Sequence, residues 1–103
     1  MPVGRSEGLV TFEWDEGKWH TVLAQHRIDF EDAIRIFNGP VLETPSRRTE
    51  ETRWVAVGIV DGREIAVVYT MRNGRCRIIT ARRARRRERR DYHAYVVGGS
   101  KSP

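Results

Sequence analysis

The chain has 103 residues, of which 39% are hydrophobic and 32% are charged, a size and composition that suit one soluble domain with a modest core. Its single cysteine, Cys76, excludes an internal disulfide and a zinc site built on several thiolates. No apolar run approaches the roughly 20 residues that span a bilayer. No secretory leader is recognisable either, so we expect a cytoplasmic protein without a membrane partner.

Charge is unevenly distributed along the chain, whose net charge is +5. Residues 1–51 contain 6 Lys and Arg against 10 Asp and Glu, whereas residues 52–103 contain 13 against 4. A basic half of this kind indicates a polyanionic partner. A solvated, charge-rich face without such a partner is the alternative that charge alone leaves open.

The first element predicted along the chain is a strand. Residues 1–8 lack periodicity and are expected to form a flexible leader. The β-branched and aromatic stretch 9–14 favours a short strand. Asp15 then stands at an N-cap position before a helix over 16–26, in which apolar residues recur at helical spacing.

A second helix is predicted from Phe30, with Asp29 as its N-cap. Its apolar stripe consists of Phe30, Ala33, Ile34 and Phe37. Gly39 and Pro40 end it. The polar segment 41–52 contains a proline and is expected to be an exposed loop.

Three strands are predicted next, over 53–60, 63–71 and 75–81. They are joined at Asp61-Gly62 and Asn73-Gly74, dipeptides that tight hairpins prefer because both residues tolerate positive φ. These strands are therefore expected to form an antiparallel meander.

The stretch RIITARRARRRERRDY over 77–92 is crowded with arginine. Alternation in its strand predicts one face with Cys76, Ile78 and Thr80, and another with Arg75, Arg77 and Ile79. A closing helix is predicted from about 82 to 95. Its docking stripe consists of Ala84, Glu88, Tyr92 and Tyr95. With residues 98–103 expected to fray, the prediction is one α+β domain over 9–97 with the order β-α-α-β-β-β-α.

The arginines of this stretch divide into two groups. Four are expected to face solvent and to attract a polyanion through their field: Arg83, Arg86, Arg87 and Arg90. Three are expected at the strand–helix junction or against Glu88, where a guanidinium can hold one phosphate in a fixed pose: Arg77, Arg82 and Arg89. Glu88 itself needs a cationic partner on a docking face, which Arg77, Arg82 or Arg85 can supply.

Two stretches resemble a known family. FEWDEGKWHTVLAQHRIDFEDAIRIF over 12–37 is similar to the opening of the BrnT family, the toxin half of a bacterial toxin–antitoxin pair. The stretch 77–92 resembles that family's closing motif, in which an isoleucine-serine-alanine-arginine run leads to a glutamate-arginine pair and a tyrosine. The resemblance covers about residues 10–95. The chain departs from the pattern at Val22, where the family usually has Asn, and at Gln25, where it usually has Lys.

The resemblance implies a RelE-like ribonuclease fold and toxicity through RNA cleavage that stops translation. It also implies neutralisation by BrnA, a ribbon-helix-helix antitoxin, in a hetero-oligomer that reaches operator DNA only through the antitoxin. No cofactor is expected. If the first helix contributes to RNA contact, the changes at Val22 and Gln25 weaken or alter the activity.

Metal-independent RNA cleavage needs a group that removes the 2′-OH proton, a group that protonates the leaving 5′ oxygen, and cations that stabilise the phosphate. The candidates for these tasks are Arg77, Arg82, Glu88, His26 and Lys18. The arginines suit phosphate stabilisation, and an imidazole suits proton transfer unless it serves only to cap its helix. Glu88 suits the base, unless pairing with arginine lowers its pKa. The candidates for RNA contact are Arg53, Arg83, Arg86, Arg89 and Tyr92.

Two functions compete with the toxin. One is a non-catalytic basic nucleic-acid-binding or regulatory module, such as a degenerate toxin. The other is a scaffold whose basic face serves only its antitoxin. Loss of activity on removal of single arginines favours the enzyme, whereas equal effects of all arginines favour plain electrostatic binding.

Overall fold

The computed structural model describes residues 3–7, 10–46 and 52–98 and confirms the α+β class. The strands are β1 (Val3–Glu7), β2 (Val10–Trp14), β3 (Leu42–Ser46), β4 (Arg53–Val60), β5 (Arg63–Arg72) and β6 (Arg75–Arg83). The helices are α1 (Glu16–His26), α2 (Phe30–Ala33), a 3₁₀ helix (Ile34–Asn38) that continues α2, and α3 (Arg86–Gly98). None of the helices in the described ranges is long and apolar enough to cross a membrane.

The six strands form one mixed sheet in the order β1-β2-β6-β5-β4-β3. Neighbouring strands are antiparallel except β2 and β6, which are parallel. The predicted meander of β4, β5 and β6 is confirmed. The residues of its two turns have positive φ, as two-residue hairpins require: Asp61, Gly62, Asn73 and Gly74.

Two segments differ from the prediction because edge strands carry weak sequence signals. Val3–Glu7, expected in a flexible leader, pairs with β2. Leu42–Ser46, expected in an exposed loop, pairs with β4 although it contains Pro45, which an edge strand tolerates. Residues 47–51 of the expected loop and 99–103 of the expected tail lie outside the described residues.

Both predicted N-caps hold the first turns of α1 and α2. The Asp15 carboxylate accepts a hydrogen bond from the Lys18 backbone N–H at 3.0 Å, and the Asp29 carboxylate accepts one from Glu31 N–H at 2.9 Å. Asp29 also accepts from the indole N–H of Trp19 at 3.0 Å. These contacts fix where α1 begins and how α2 follows it.

One face of the sheet carries the main core, which α1, α2 and the 3₁₀ helix cover. Its largest fully buried side chains are Phe12, Phe30, Ile34, Ile36, Ile78 and Val67. Ile36 lies outside the predicted stripe because the chain tightens after α2 into a 3₁₀ helix, where residues three apart share a side.

The opposite face is only partly covered. Val57 and Ala66 of the sheet form a smaller cluster with Ala84 and with Tyr92 of α3. α3 therefore packs over one end of this face. Among the residues that the structure describes, no helix covers the rest of it.

The closing helix begins four residues later than predicted. β6 continues to Arg83, and the Ala84 N–H donates to the Glu64 carbonyl at 3.0 Å before α3 starts at Arg86. Arg82 is therefore a strand residue, held by the sheet ladder opposite Ala66.

Candidate functional site

A β-bulge in β6 determines which of its side chains face each side of the sheet. Val68 of β5 pairs with Thr80, but the next residue, Tyr69, pairs with Ile78. Ile79 is thus an extra residue in β6. Such a bulge changes the direction of the side chains that follow it.

The bulge corrects the predicted alternation of β6. Ala81, not Thr80, joins Cys76 and Ile78 in the core. Thr80 and Arg82 instead face the partly covered side of the sheet, together with Arg77 from before the bulge. The shift brings the two arginines predicted to contact phosphate to one surface.

These side chains line an open groove of two adjoining cavities, of about 330 and 370 Å³. Lys18, Arg53 and Ile79 line both cavities and make them continuous. The other charged side chains of the groove are Asp15, Arg72, Arg77, Arg82, Arg85 and Glu88. Among the described residues that line the groove, six are cationic and two are acidic, so this lining is predominantly basic.

A third cavity, of about 310 Å³, has a different character. It lies beside α2 and is lined by three aspartates and two arginines among other residues: Asp29, Asp32, Asp61, Arg27 and Arg63. Arg35 bridges Asp61 at 3.0 Å and Asp32 at 3.6 Å in the same region. The balance of charge makes this cavity a poor site for a polyanion.

Arg82 and Glu88 form the most constrained ion pair of the groove. Arg82 Nη1 lies 2.7 Å from Glu88 Oε1, and Nη2 lies 2.9 Å from Oε2. Glu88 Oε1 also accepts from the Arg85 backbone N–H at 2.7 Å, which caps the start of α3. The hydrogen bond from Arg82 chiefly lowers the pKa of Glu88, with help from Arg85 and against the effect of burial.

Arg77 takes a different carboxylate. It lies beside Glu13 in the parallel pairing of β6 with β2, and its Nη1 is 3.9 Å from Glu13 Oε2. Glu13 is buried. Of the three partners predicted for Glu88, Arg82 and the backbone of Arg85 contact it, whereas the contact recorded for Arg77 is with Glu13.

Two predicted cations join these arginines from distant parts of the chain. Lys18 comes from the first turn of α1, which follows β2, and Arg53 opens β4. Arg72 was not predicted. It ends β5 one residue beyond the predicted strand 63–71, and alternation continued from Thr70 places it on the groove side.

Three candidates lie outside the groove. His26 ends α1 and is exposed, about 12 Å along the helix axis from Lys18 at 1.5 Å per residue. Arg83 and Arg86 are also exposed, and Arg86 lies with Arg87 and Arg90 on α3. The structure therefore does not bring His26 to the arginines that sequence reasoning grouped with it.

Two other candidates have structural contacts. Tyr92 is 3% exposed, and its hydroxyl donates to the Pro40 carbonyl at 2.9 Å. Its ring packs in the small core cluster against the sheet. Arg89 Nη1 donates to the Ala84 carbonyl at 2.6 Å, which ties α3 to the end of β6.

The two residues of α1 that differ from the family pattern, Val22 and Gln25, do not lie in the groove. Val22 is buried in the main core, and Gln25 is exposed. Neither lines the two cavities. Val22 therefore contributes to packing between α1 and the sheet.

No three His, Cys, Asp or Glu side chains come together as a metal site would require, within residues 3–7, 10–46 and 52–98. The chemistry available in the groove comes from guanidinium, ammonium, carboxylate and hydroxyl groups.

Comparison with known proteins adds a family. Residues 14–88 match a family model described as ribonuclease toxin, BrnT, of type II toxin–antitoxin system. The matched range includes all eight charged residues that line the groove. A search of curated proteins found no match.

Proposed function

Because the chain belongs to the BrnT family of ribonuclease toxins from type II toxin–antitoxin systems, we propose that it is a metal-independent endoribonuclease of RelE-like architecture. The groove between α1 and the first turn of α3 is its active site. One observation carries this proposal: Arg82, Arg77, Lys18 and Arg53 line one continuous groove, and a bidentate carboxylate fixes Arg82 within it.

Arg82 and Arg77 stabilise the phosphate under attack. An arginine has five N–H donors, of which Arg82 uses two on Glu88 and one on the Arg83 carbonyl. Two donors are thus left for a phosphate. Donors held in place before the reaction stabilise developing charge without the cost of reorganisation.

Glu88 positions Arg82 in this proposal. Both of its carboxylate oxygens accept hydrogen bonds, and its pKa is lowered. A carboxylate so engaged is a weak base near neutral pH. Its contribution is to hold the guanidinium plane toward the groove.

Lys18 is the proposed proton donor to the leaving 5′ oxygen, because its ammonium is exposed and lines both cavities. The proton of the attacking 2′-OH passes to water in the open groove. Arg53 contacts a neighbouring phosphate of the RNA strand. His26 takes no part in the reaction in this proposal, because it lies at the opposite end of α1 from Lys18.

RNA cleavage by the chain inhibits translation, and a BrnA-like ribbon-helix-helix antitoxin neutralises it in a hetero-oligomer. Operator DNA is bound through the antitoxin. The family's assignment to type II toxin–antitoxin systems supports a protein partner of this kind.

The test uses wild type, Arg82→Ala and Arg86→Ala, each incubated with total RNA in EDTA. We expect the wild type and Arg86→Ala to give fragments with 2′,3′-cyclic phosphate ends. Arg82→Ala should be slower by about 100-fold, the effect of losing one donor from a preorganised oxyanion site. Arg86 is the matched control because it is an exposed arginine outside the groove.

Folded wild type that binds RNA but cleaves none would overturn the proposal and favour the non-catalytic binding module. Equal losses in Arg82→Ala and Arg86→Ala would also contradict a positioned site, because field strength alone makes no distinction between them.

A further inference from the structure

The outward side of α3 presents arginines and apolar residues on the same helix. Arg86, Arg87 and Arg90 line a shallow depression in its first turns. Tyr95 and Val96 near its end are each 41% exposed, and Val97 is 73% exposed. The helix thus changes from basic to apolar along its length while remaining accessible.

Helical geometry aligns these residues. At 100° per residue, Arg86, Arg90, Ala94 and Val97 fall on one side of α3, at spacings of four, four and three. Tyr92 falls on the other side, where it packs against the sheet. The stripe of Arg86, Arg90, Ala94 and Val97 is called the α3 outer face.

The apolar end of α3 is unlike the other exposed apolar residues of the described chain. Leu23, Ile59 and Met71 are exposed singly on separate elements, which is ordinary for a soluble protein. The last turn of α3 instead groups three exposed apolar residues, and Val97, the most exposed of them, lies on the same side of the helix as Arg86 and Arg90.

We propose that the α3 outer face is the docking surface for the antitoxin and that the antitoxin covers it with a segment of acidic and apolar side chains. The inference rests on the proposed function, because that function supplies the protein partner. The acidic groups pair with Arg86 and Arg90, and the apolar groups cover Ala94 and Val97.

The chemistry of this face favours a protein here over RNA. An RNA backbone has nothing apolar to place on Val97, whereas a protein segment buries it. None of Arg86, Arg90 and Val97 lines the groove, so antitoxin binding and RNA cleavage depend on different residues.

The test measures two properties of the same variants. Affinity for the purified BrnA-like antitoxin encoded with the chain is determined by calorimetry, and cleavage of total RNA in EDTA is determined in parallel. The variants are Arg90→Glu and Val97→Asp. Arg63→Glu is the matched control, because Arg63 is an exposed arginine at the start of β5 and the charge change is the same.

We expect Arg90→Glu and Val97→Asp each to weaken antitoxin binding by about tenfold or more. Arg63→Glu should bind within about twofold of the wild type, and all three should cleave RNA like the wild type. Far-ultraviolet circular dichroism and thermal melts confirm that the exposed substitutions leave the fold intact.

Unchanged antitoxin affinity in both variants overturns the inference. So does a loss of RNA cleavage or RNA binding with antitoxin affinity retained, which makes the face an RNA contact. A wild type that binds the antitoxin but cleaves no RNA refutes the catalytic proposal alone, and the variants then still decide the docking surface. A wild type that binds no antitoxin refutes the docking surface directly.

Discussion

Glu88 connects three parts of the site at the scale of single residues. It holds the Arg82 guanidinium by two hydrogen bonds and caps α3 through the Arg85 N–H. Losing the charge of Glu88 therefore affects the orientation of Arg82 and the start of α3 together. The pKa of Glu88 gives a way to measure this contribution.

The pKa of Glu88 is lowered in the folded protein, so the folded state binds the Glu88 proton less readily than the unfolded chain. Its contribution to stability is complete above the ordinary carboxyl pKa of 4.5 and is lost as pH falls through the lower folded pKa. We expect Glu88→Gln to reduce the free energy of unfolding by about 1 kcal/mol at pH 7, and by less as pH falls below 4.5.

Urea denaturation of both proteins at a series of pH values measures this difference. Glu31→Gln serves as the control, because Glu31 is an exposed carboxylate in the first turn of α2. A difference between wild type and Glu88→Gln that stays constant from pH 7 to pH 3 would contradict the proposed ionic role.

At the same scale, sequence reasoning named Arg82 among three possible partners of Glu88, because a carboxylate on a docking stripe needs a cation. It did not find the pairing of Arg77 with Glu13, since that contact depends on the parallel pairing of β2 with β6. Tyr92 shows the converse difficulty. A tyrosine on a helix stripe fits both an RNA contact and a core, and the sequence does not show that its ring is only 3% exposed.

At the scale of elements, the sequence predicts those whose signals are local. α1 begins after its N-cap Asp15 and spans 16–26 as predicted, and both hairpin turns have the expected φ. The bulge in β6 is not predictable in this way. Ile78 and Ile79 are alike, so nothing in the alternation shows which of them is the extra residue. The bulge is nevertheless what turns Arg82 toward the groove.

The contact between the 3₁₀ helix and β4 gives a prediction about an element. A Cβ added at Gly58 would lie 2.6 Å from Ile36 Cβ and 3.2 Å from Val41 Cγ1. A Cβ atom cannot rotate away, so the 3₁₀ helix or the strand must shift. We expect Gly58→Ala to lower the free energy of unfolding by about 1–3 kcal/mol, as overpacking does.

Gly39→Ala is the control for this substitution. Gly39 has φ of −132°, and no heavy atom lies within 4 Å of a Cβ built on it. We expect a change within about 0.5 kcal/mol, measured by the same urea denaturation. Equal stability of Gly58→Ala and wild type would show that the 3₁₀ helix does not pack on β4 as closely as the structure indicates.

At the scale of the whole molecule, the fold reorganises the charge of the chain. The sequence separates an acidic first half from a basic second half, but the groove combines Lys18 of the first half with arginines of the second. Net charge predicts an affinity for polyanions and gives no location for it. The location follows from the sheet order, which places β6 between β2 and β5.

The salt dependence of RNA binding distinguishes phosphate contacts in the groove from attraction by the overall positive charge. For single-stranded RNA, log K falls with log salt by about 0.7 per phosphate neutralised. If several of the six cations in the groove each contact a phosphate, the slope is about −2 to −4. We expect Arg53→Ala to make the slope shallower by about 0.7, whereas Arg63→Ala should leave it unchanged, because Arg63 lies outside the groove.

The measurement titrates 2′-O-methyl RNA at several salt concentrations, since a strand without 2′-OH groups binds but cannot be cleaved by attack of that group. Equal changes of slope in Arg53→Ala and Arg63→Ala would mean that the RNA contacts the basic surface diffusely. A change confined to Arg53→Ala would instead place the RNA phosphates in the groove, next to the guanidinium that Glu88 holds. In that case the arginines of the closing motif act through their positions, and their number sets only the field around them.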